Sequence, residues 1–154
     1  MHLGTGYRRG KSMIYTEMTK KALLLSFNAH KDQVDKGGLP YVYHPFHLAE
    51  QIDTEEAATA ALLHDVVEDT DYTIEDIIAM GFPKSVTDAL ALMTHDDTTP
   101  YMDYVAKIKS NPIAKAVKIA DFRHNSDTNR LDIIDEKVLR RVQKYHDAIT
   151  LLEN

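Results

Sequence analysis

The chain has 154 residues, with 18 Lys and Arg against 24 Asp and Glu for a formal charge of −6, and it contains no cysteine. That length suits one domain around a single core. The negative balance argues against non-specific binding to nucleic acid or anionic lipid, and the missing cysteine removes disulfides, thiolate nucleophiles and Cys-ligated zinc.

No apolar run approaches the roughly 18 residues that a membrane-spanning helix needs. A soluble protein of a reducing cytoplasm is expected, with residues 1–13 as a candidate disordered extension, because basic residues there precede no apolar segment. From 14 to 154, apolar residues recur at three and four positions, which predicts an all-α, single-domain helical bundle.

The first helix is expected from Thr16 to about Gln33, with Leu23, Leu24, Phe27 and Val34 as its core-facing stripe. Lys36-Gly37-Gly38-Leu39-Pro40 ends it, since paired glycines and a proline supply turn geometry. His44-Pro45 opens a short second helix, Pro45 suiting its first position. Asp53 with Glu56 reads as the cap of a third helix, Thr54 to about Glu68. Thr73 and Asp76 cap a fourth that Gly81 ends, and Pro83 starts a fifth reaching about Met93. After a polar loop from Thr94 to Pro100, a sixth helix runs from Tyr101 to Lys109. A seventh starts at Asn111-Pro112 and reaches about Asn125, and the last spans Asp135 to Leu152.

The third helix carries the chemistry. His64 and Glu68 are four apart, as are Asp65 and Asp69, so four titratable groups share one quadrant. A solvated polar edge is the plain reading of such a cluster. Here Ala57, Ala58, Ala60, Ala61, Leu62, Leu63, Val66 and Val67 surround the polar groups, which marks a buried helix. Buried imidazoles and carboxylates are costly unless paired or bound to a cation, and Mn, Fe or Zn fit this ligand type. Asp121 and Asn125 repeat the pattern beside Val117, Ile119 and Ala120, where Asp121 could instead merely pair with Lys118 or Arg123.

His44 in YVYHP, His64-Asp65 in ALLHDVVEDT and Asp121 in KIADFRHN resemble the H…HD…D pattern of the HD-domain metal-dependent phosphohydrolases. More narrowly, HKDQ…GLPYVYHPFHLAE, AALLHDVVEDTDYT, VKIADFRHNSDT and RVQKY are similar to the hydrolase domain of the RelA/SpoT family, in its small alarmone hydrolase type. The likeness covers roughly residues 25 to 150. It implies a helical HD bundle that removes the 3′-pyrophosphate of guanosine tetra- or pentaphosphate, a small-molecule nucleotide being its partner.

The resemblance implies His44, His64, Asp65 and Asp121 as ligands of one divalent ion, typically Mn²⁺, and Glu68 and Asp69 as the pair managing the attacking water. Asn125, Thr128 and Tyr145 match positions around the nucleotide, and Lys36 a basic residue by its base. Arg123, Lys107 and Lys118 are alternative cations for the pyrophosphate. Among the remaining imidazoles, His30 and His124 are expected to hydrogen-bond behind the site, and His95 to be exposed.

Asp35 stands where the family usually has Arg, Leu39 replaces a polar residue, and the segment Thr94 to Asn111 is short. Aspartate can neither stack on a purine nor neutralise phosphate. Guanine preference therefore stays open, with a phosphomonoesterase acting on NADPH or a nucleoside monophosphate, or a non-catalytic nucleotide-binding module, as the other readings.

Overall fold

A computed structural model describes residues 13–154, so the expectation for 1–13 lies outside the described residues save for Met13, which opens a 3-10 turn, Met13–Tyr15. Eight helices follow: α1 (Glu17–Ala29), α2 (Tyr43–Glu50), α3 (Glu55–Asp69), α4 (Ile74–Ala79), α5 (Lys84–Met93), α6 (Tyr101–Ile108), α7 (Pro112–Asn125) and α8 (Glu136–Glu153). The expected all-α class holds. A second 3-10 turn, Thr128–Arg130, links α7 to α8.

α3 is the axis of the bundle. Every residue from Ala57 to Val66 is buried, and α1, α2, α5 and α7 pack around it. Its alanines let neighbouring backbones approach, and Leu62, Leu63 and Val66 fill the space between them. A helix hydrophobic on every side belongs in a core, as the sequence indicated.

The stripe expected on α1 is overturned. Leu24, Phe27 and Val34 are 64%, 53% and 66% exposed, while Thr19, Ala22 and Ser26 face inward. Spacing by three and four fits both faces of this helix, and the small residues are the ones that suit close packing on the alanine-rich α3. Leu23 packs partly against the core. α1 also stops at Ala29 rather than Gln33, because the Gln33 N–H turns back to the His30 carbonyl at 3.0 Å and Val34 forms an antiparallel bridge with Pro40.

Thr54, not Asp53, caps α3, its hydroxyl accepting the Ala57 N–H at 3.4 Å. Pro45 sits third in α2 rather than first. The Thr73/Asp76 capping box is present, and Gly81 follows α4 at φ +89, a conformation glycine takes without strain. At α7, Asn111 Oδ1 accepts the Ala114 N–H at 3.0 Å with Pro112 in the first turn. Asn111→Ala should lower stability by about 1 kcal/mol in urea titration; an unchanged midpoint would deny the cap any energetic role.

Candidate active site

Three helices converge on one buried cluster. α2 brings His44, α3 brings His64 and Asp65, and α7 brings Asp121, all four buried. His44 Nε2 lies 2.8 Å from Asp121 Oδ1, and His64 Nε2 lies 3.8 Å from that same oxygen. Ligand atoms of His44, His64 and Asp121 all fall within 4.8 Å of one another. Asp65 stands beside this triad, its Oδ1 3.2 Å from His64 Nε2 and its Oδ2 3.6 Å from His44 Nε2.

The donors fit a divalent cation. His64 Nδ1 lies 2.7 Å from the Ala61 carbonyl, which can only accept, so neutral His64 carries its proton there and turns the Nε2 lone pair to the cluster. That Nε2 is buried and makes no hydrogen bond, although two carboxylates are near it. A buried orphan nitrogen facing carboxylates is the arrangement a cation between them satisfies. Burial pulls the His64 imidazole down, but Asp65 and Asp121 outweigh it and hold the group up at about 9.

A second layer fixes the carboxylates. The Tyr41 hydroxyl donates to Asp65 Oδ2 at 2.7 Å, Lys118 Nζ to Asp121 Oδ2 at 2.5 Å, and Asn125 Nδ2 to Asp121 Oδ1 at 3.0 Å. Burial alone would raise Asp121, yet Lys118 and the two imidazoles hold its carboxyl well below the usual carboxylate range. Of the three cations left open by the sequence, Lys118 is therefore the one at the cluster. Arg123 is exposed and pairs with Glu153, and Lys107 is exposed on α6.

Two clefts flank the cluster and share Asn125 and Tyr145. The larger, about 380 Å³, is lined by Lys36, Tyr41, His44 and Arg141 besides the shared pair. The smaller, about 180 Å³, is lined by Glu68, His95, Tyr104, Lys118, Asp121 and Lys144 among others. Lys36, Asn125, Tyr145 and Glu68 thus fall where a ligand would meet them. Asp69 ends α3 with its carbonyl accepting from Gln33 Nε2, and Thr128 stands in the turn between Asp127 and Leu131, which line the larger cleft. Glu68 and Asp69 are exposed at the outer edge of the site, yet partial desolvation pushes both carboxyls up and Asp65 adds to the push. Desolvation, and after it the nearby Arg141 and Lys137, push Lys36 down.

His95 is not simply exposed. It is half-buried, its Nε2 lies 3.1 Å from the Thr99 carbonyl, and its ring lies 4.7 Å from that of Tyr104. Sequence reasoning also passed over Tyr41 and Arg141. Arg141 had a signal, standing four before Tyr145 on one face of α8, whereas Tyr41 lies in the turn before α2, where no helical spacing marks it. Asp35 has a local structural role: its Oδ1 accepts the Gly37 and Leu39 N–H groups at 2.8 and 3.0 Å, closing the turn in which Gly38 takes φ +83.

A helical bundle with a buried His–Asp cluster at the meeting of three helices defines an HD-type domain. No family model matches the chain. A solved structure described as a metazoan ortholog of SpoT that hydrolyzes ppGpp and plays a role in starvation responses superposes with a TM-score of 0.71 at 23% identity, over 90% of this chain and 87% of that one. The guanosine-3′,5′-bis(diphosphate) 3′-pyrophosphohydrolase MESH1 of Mus musculus is 36% identical over 68% of this chain and 66% of its own length. The protein of that name from Homo sapiens is 36% identical over 62% of this chain and 60% of its own. The chain belongs to the HD-type RelA/SpoT hydrolase family, in its small alarmone hydrolase group. It spans less than two thirds of the length of these two curated relatives. Among the described residues, no helix is long and apolar enough to cross a membrane.

Proposed function

We propose that the chain is a Mn²⁺-dependent pyrophosphohydrolase that converts guanosine tetra- or pentaphosphate to GDP or GTP and pyrophosphate. The convergence of His44, His64 and Asp121 between two clefts carries this reading, and the relatives' names supply the substrate. His44, His64 and Asp121 would hold the cation, with Asp65 as the fourth ligand. When bound, a divalent ion neutralises phosphate charge and lowers the pKa of water.

The chain's own groups do the rest. Glu68 and Asp69, their carboxyls pushed up, take the proton from the attacking water. Water adds to the phosphorus on the nucleotide's 3′ oxygen, the O3′–P bond breaks, and the 3′ oxygen keeps the electron pair and takes up a proton. Lys118 keeps Asp121 ionised, and the Tyr41 hydroxyl holds Asp65 in place. Lys36 and Arg141 bind phosphate in the larger cleft, with Asn125 and Tyr145 against the nucleoside. Thr128, in the turn beside that cleft, contacts the nucleotide's sugar and phosphates together with Asn125.

The test is product identification from a panel of guanosine tetraphosphate, NADPH and nucleoside monophosphates with Mn²⁺-loaded protein. Pyrophosphate from the tetraphosphate is expected. Orthophosphate from a monoester in its place would overturn the substrate, and no turnover of any compound would leave a binding module. Arg141→Ala should raise KM about tenfold with kcat little changed, the pattern of a lost binding contact; an equal fall in kcat would remove it from nucleotide binding.

A further inference from the structure

We infer that His124 is a positioning residue that sets the tautomer of His44 and thereby opens His44 Nε2 to a cation. The inference rests on His44 as a ligand, but not on the substrate or the reaction. His44 turns Nε2 toward Asp121 Oδ1, at 2.8 Å, and Nδ1 toward His124 Nδ1, at 2.6 Å. The two rings are nearly coplanar, 12° apart, with centroids separated by 4.9 Å. That is the spacing of five-membered rings meeting edge to edge along an N–H···N line, not of a face-to-face stack. His47, three residues from His44 on α2, lies against His124 at 4.5 Å and 41°, flanking its ring.

A cation takes only a lone pair, so Nε2 ligation requires the His44 proton on Nδ1. His64 meets that demand through a carbonyl that always accepts. The partner of His44 is another imidazole, which can accept or donate, so the pair has two arrangements with the same number of protons. In one, His124 Nδ1–H donates to His44 Nδ1, and His44 Nε2–H donates to Asp121. In the other, His44 Nδ1–H donates to His124 Nδ1, and the second proton sits on His124 Nε2. Only the second arrangement leaves a lone pair on His44 Nε2, and a bound cation selects it.

The experiment uses Zn²⁺ as a diamagnetic probe. Long-range ¹H–¹⁵N spectra of the Zn²⁺-loaded protein should show His44 protonated at Nδ1 and ligating through Nε2, with His124 Nδ1 bare. By calorimetry, His124→Phe should weaken Zn²⁺ binding about 10- to 100-fold, the usual effect of losing a hydrogen-bond partner behind a ligand. His124→Asn, which retains an acceptor, should stay within about fivefold of the parent on the same reasoning. Ligation through His44 Nδ1, a proton on His124 Nδ1 in the loaded protein, equal affinity of His124→Phe and the parent, or an Asn variant as weak as the Phe one would each overturn the proposal. Should the Phe variant not fold, the parent's spectra and the Asn variant decide. All readouts are taken without substrate, so failure to hydrolyse the tetraphosphate would overturn the reaction alone, whereas no Zn²⁺ binding would overturn this inference as well.

Discussion

Asp121→Asn should abolish pyrophosphate release, by on the order of a thousandfold or more, and should also weaken the fold. The first effect follows because one oxygen of Asp121 faces both imidazoles, so replacing the carboxylate removes a charge from the centre of the proposed cation site. The second follows from Lys118, whose side chain is only 11% exposed and has Asp121 as its ion-pair partner. Breaking a buried pair from one side strands the remaining charge, at a cost of about 3 kcal/mol with a carboxamide still able to accept. The double variant Asp121→Asn/Lys118→Met separates the effects: stability in urea should return while activity does not. Activity of the single variant within tenfold of the parent would remove Asp121 from the site.

Leu63→Ala should damage the core severely, costing about 3 kcal/mol and lowering Tm by roughly 6–12 °C. Leu63 is wholly buried on a helix enclosed by α1, α2, α5 and α7, so no free surface lets the site collapse around the missing atoms. The same truncation at Leu24 or Phe27 on α1 should change stability by about 0.5 kcal/mol or less, because both are mostly exposed. Thermal melts of the three variants compare them directly. Equal losses at Leu63 and Leu24 would mean that α1 buries its large residues after all.

That contrast shows what the sequence could and could not disclose. α3 was legible because apolar residues occupy every side of it, which has one packing solution. α1 was not, since its large and its small residues both recur at helical spacing, and the choice between faces belongs to the alanines of α3 rather than to α1. Caps slipped by one residue where adjacent polar residues competed, as Asp53 and Thr54 did. At the site, the resemblance implied His44, His64, Asp65 and Asp121 as one group, and the fold brings these four side chains together. Arg141 escaped assignment because what it faces, Lys36 across the larger cleft, comes from a distant segment; Lys118 pairs with Asp121 one turn along α7, one of the two pairings that the sequence left open. Periodicity ranks residues on their own helix and is blind to what faces them.

The placement of the cluster and of its surroundings has an evolutionary consequence. The donors ride on α2, α3 and α7, deep in the bundle, whereas Lys36 sits on a surface turn and Arg141 on the outer terminal helix. Substitutions on such a rim change stability little, while those around α3 change it greatly. Selection can therefore retune which nucleotide is admitted without renegotiating the chemistry. A descendant of this chain would be expected to keep its His–Asp centre long after its ligand had drifted.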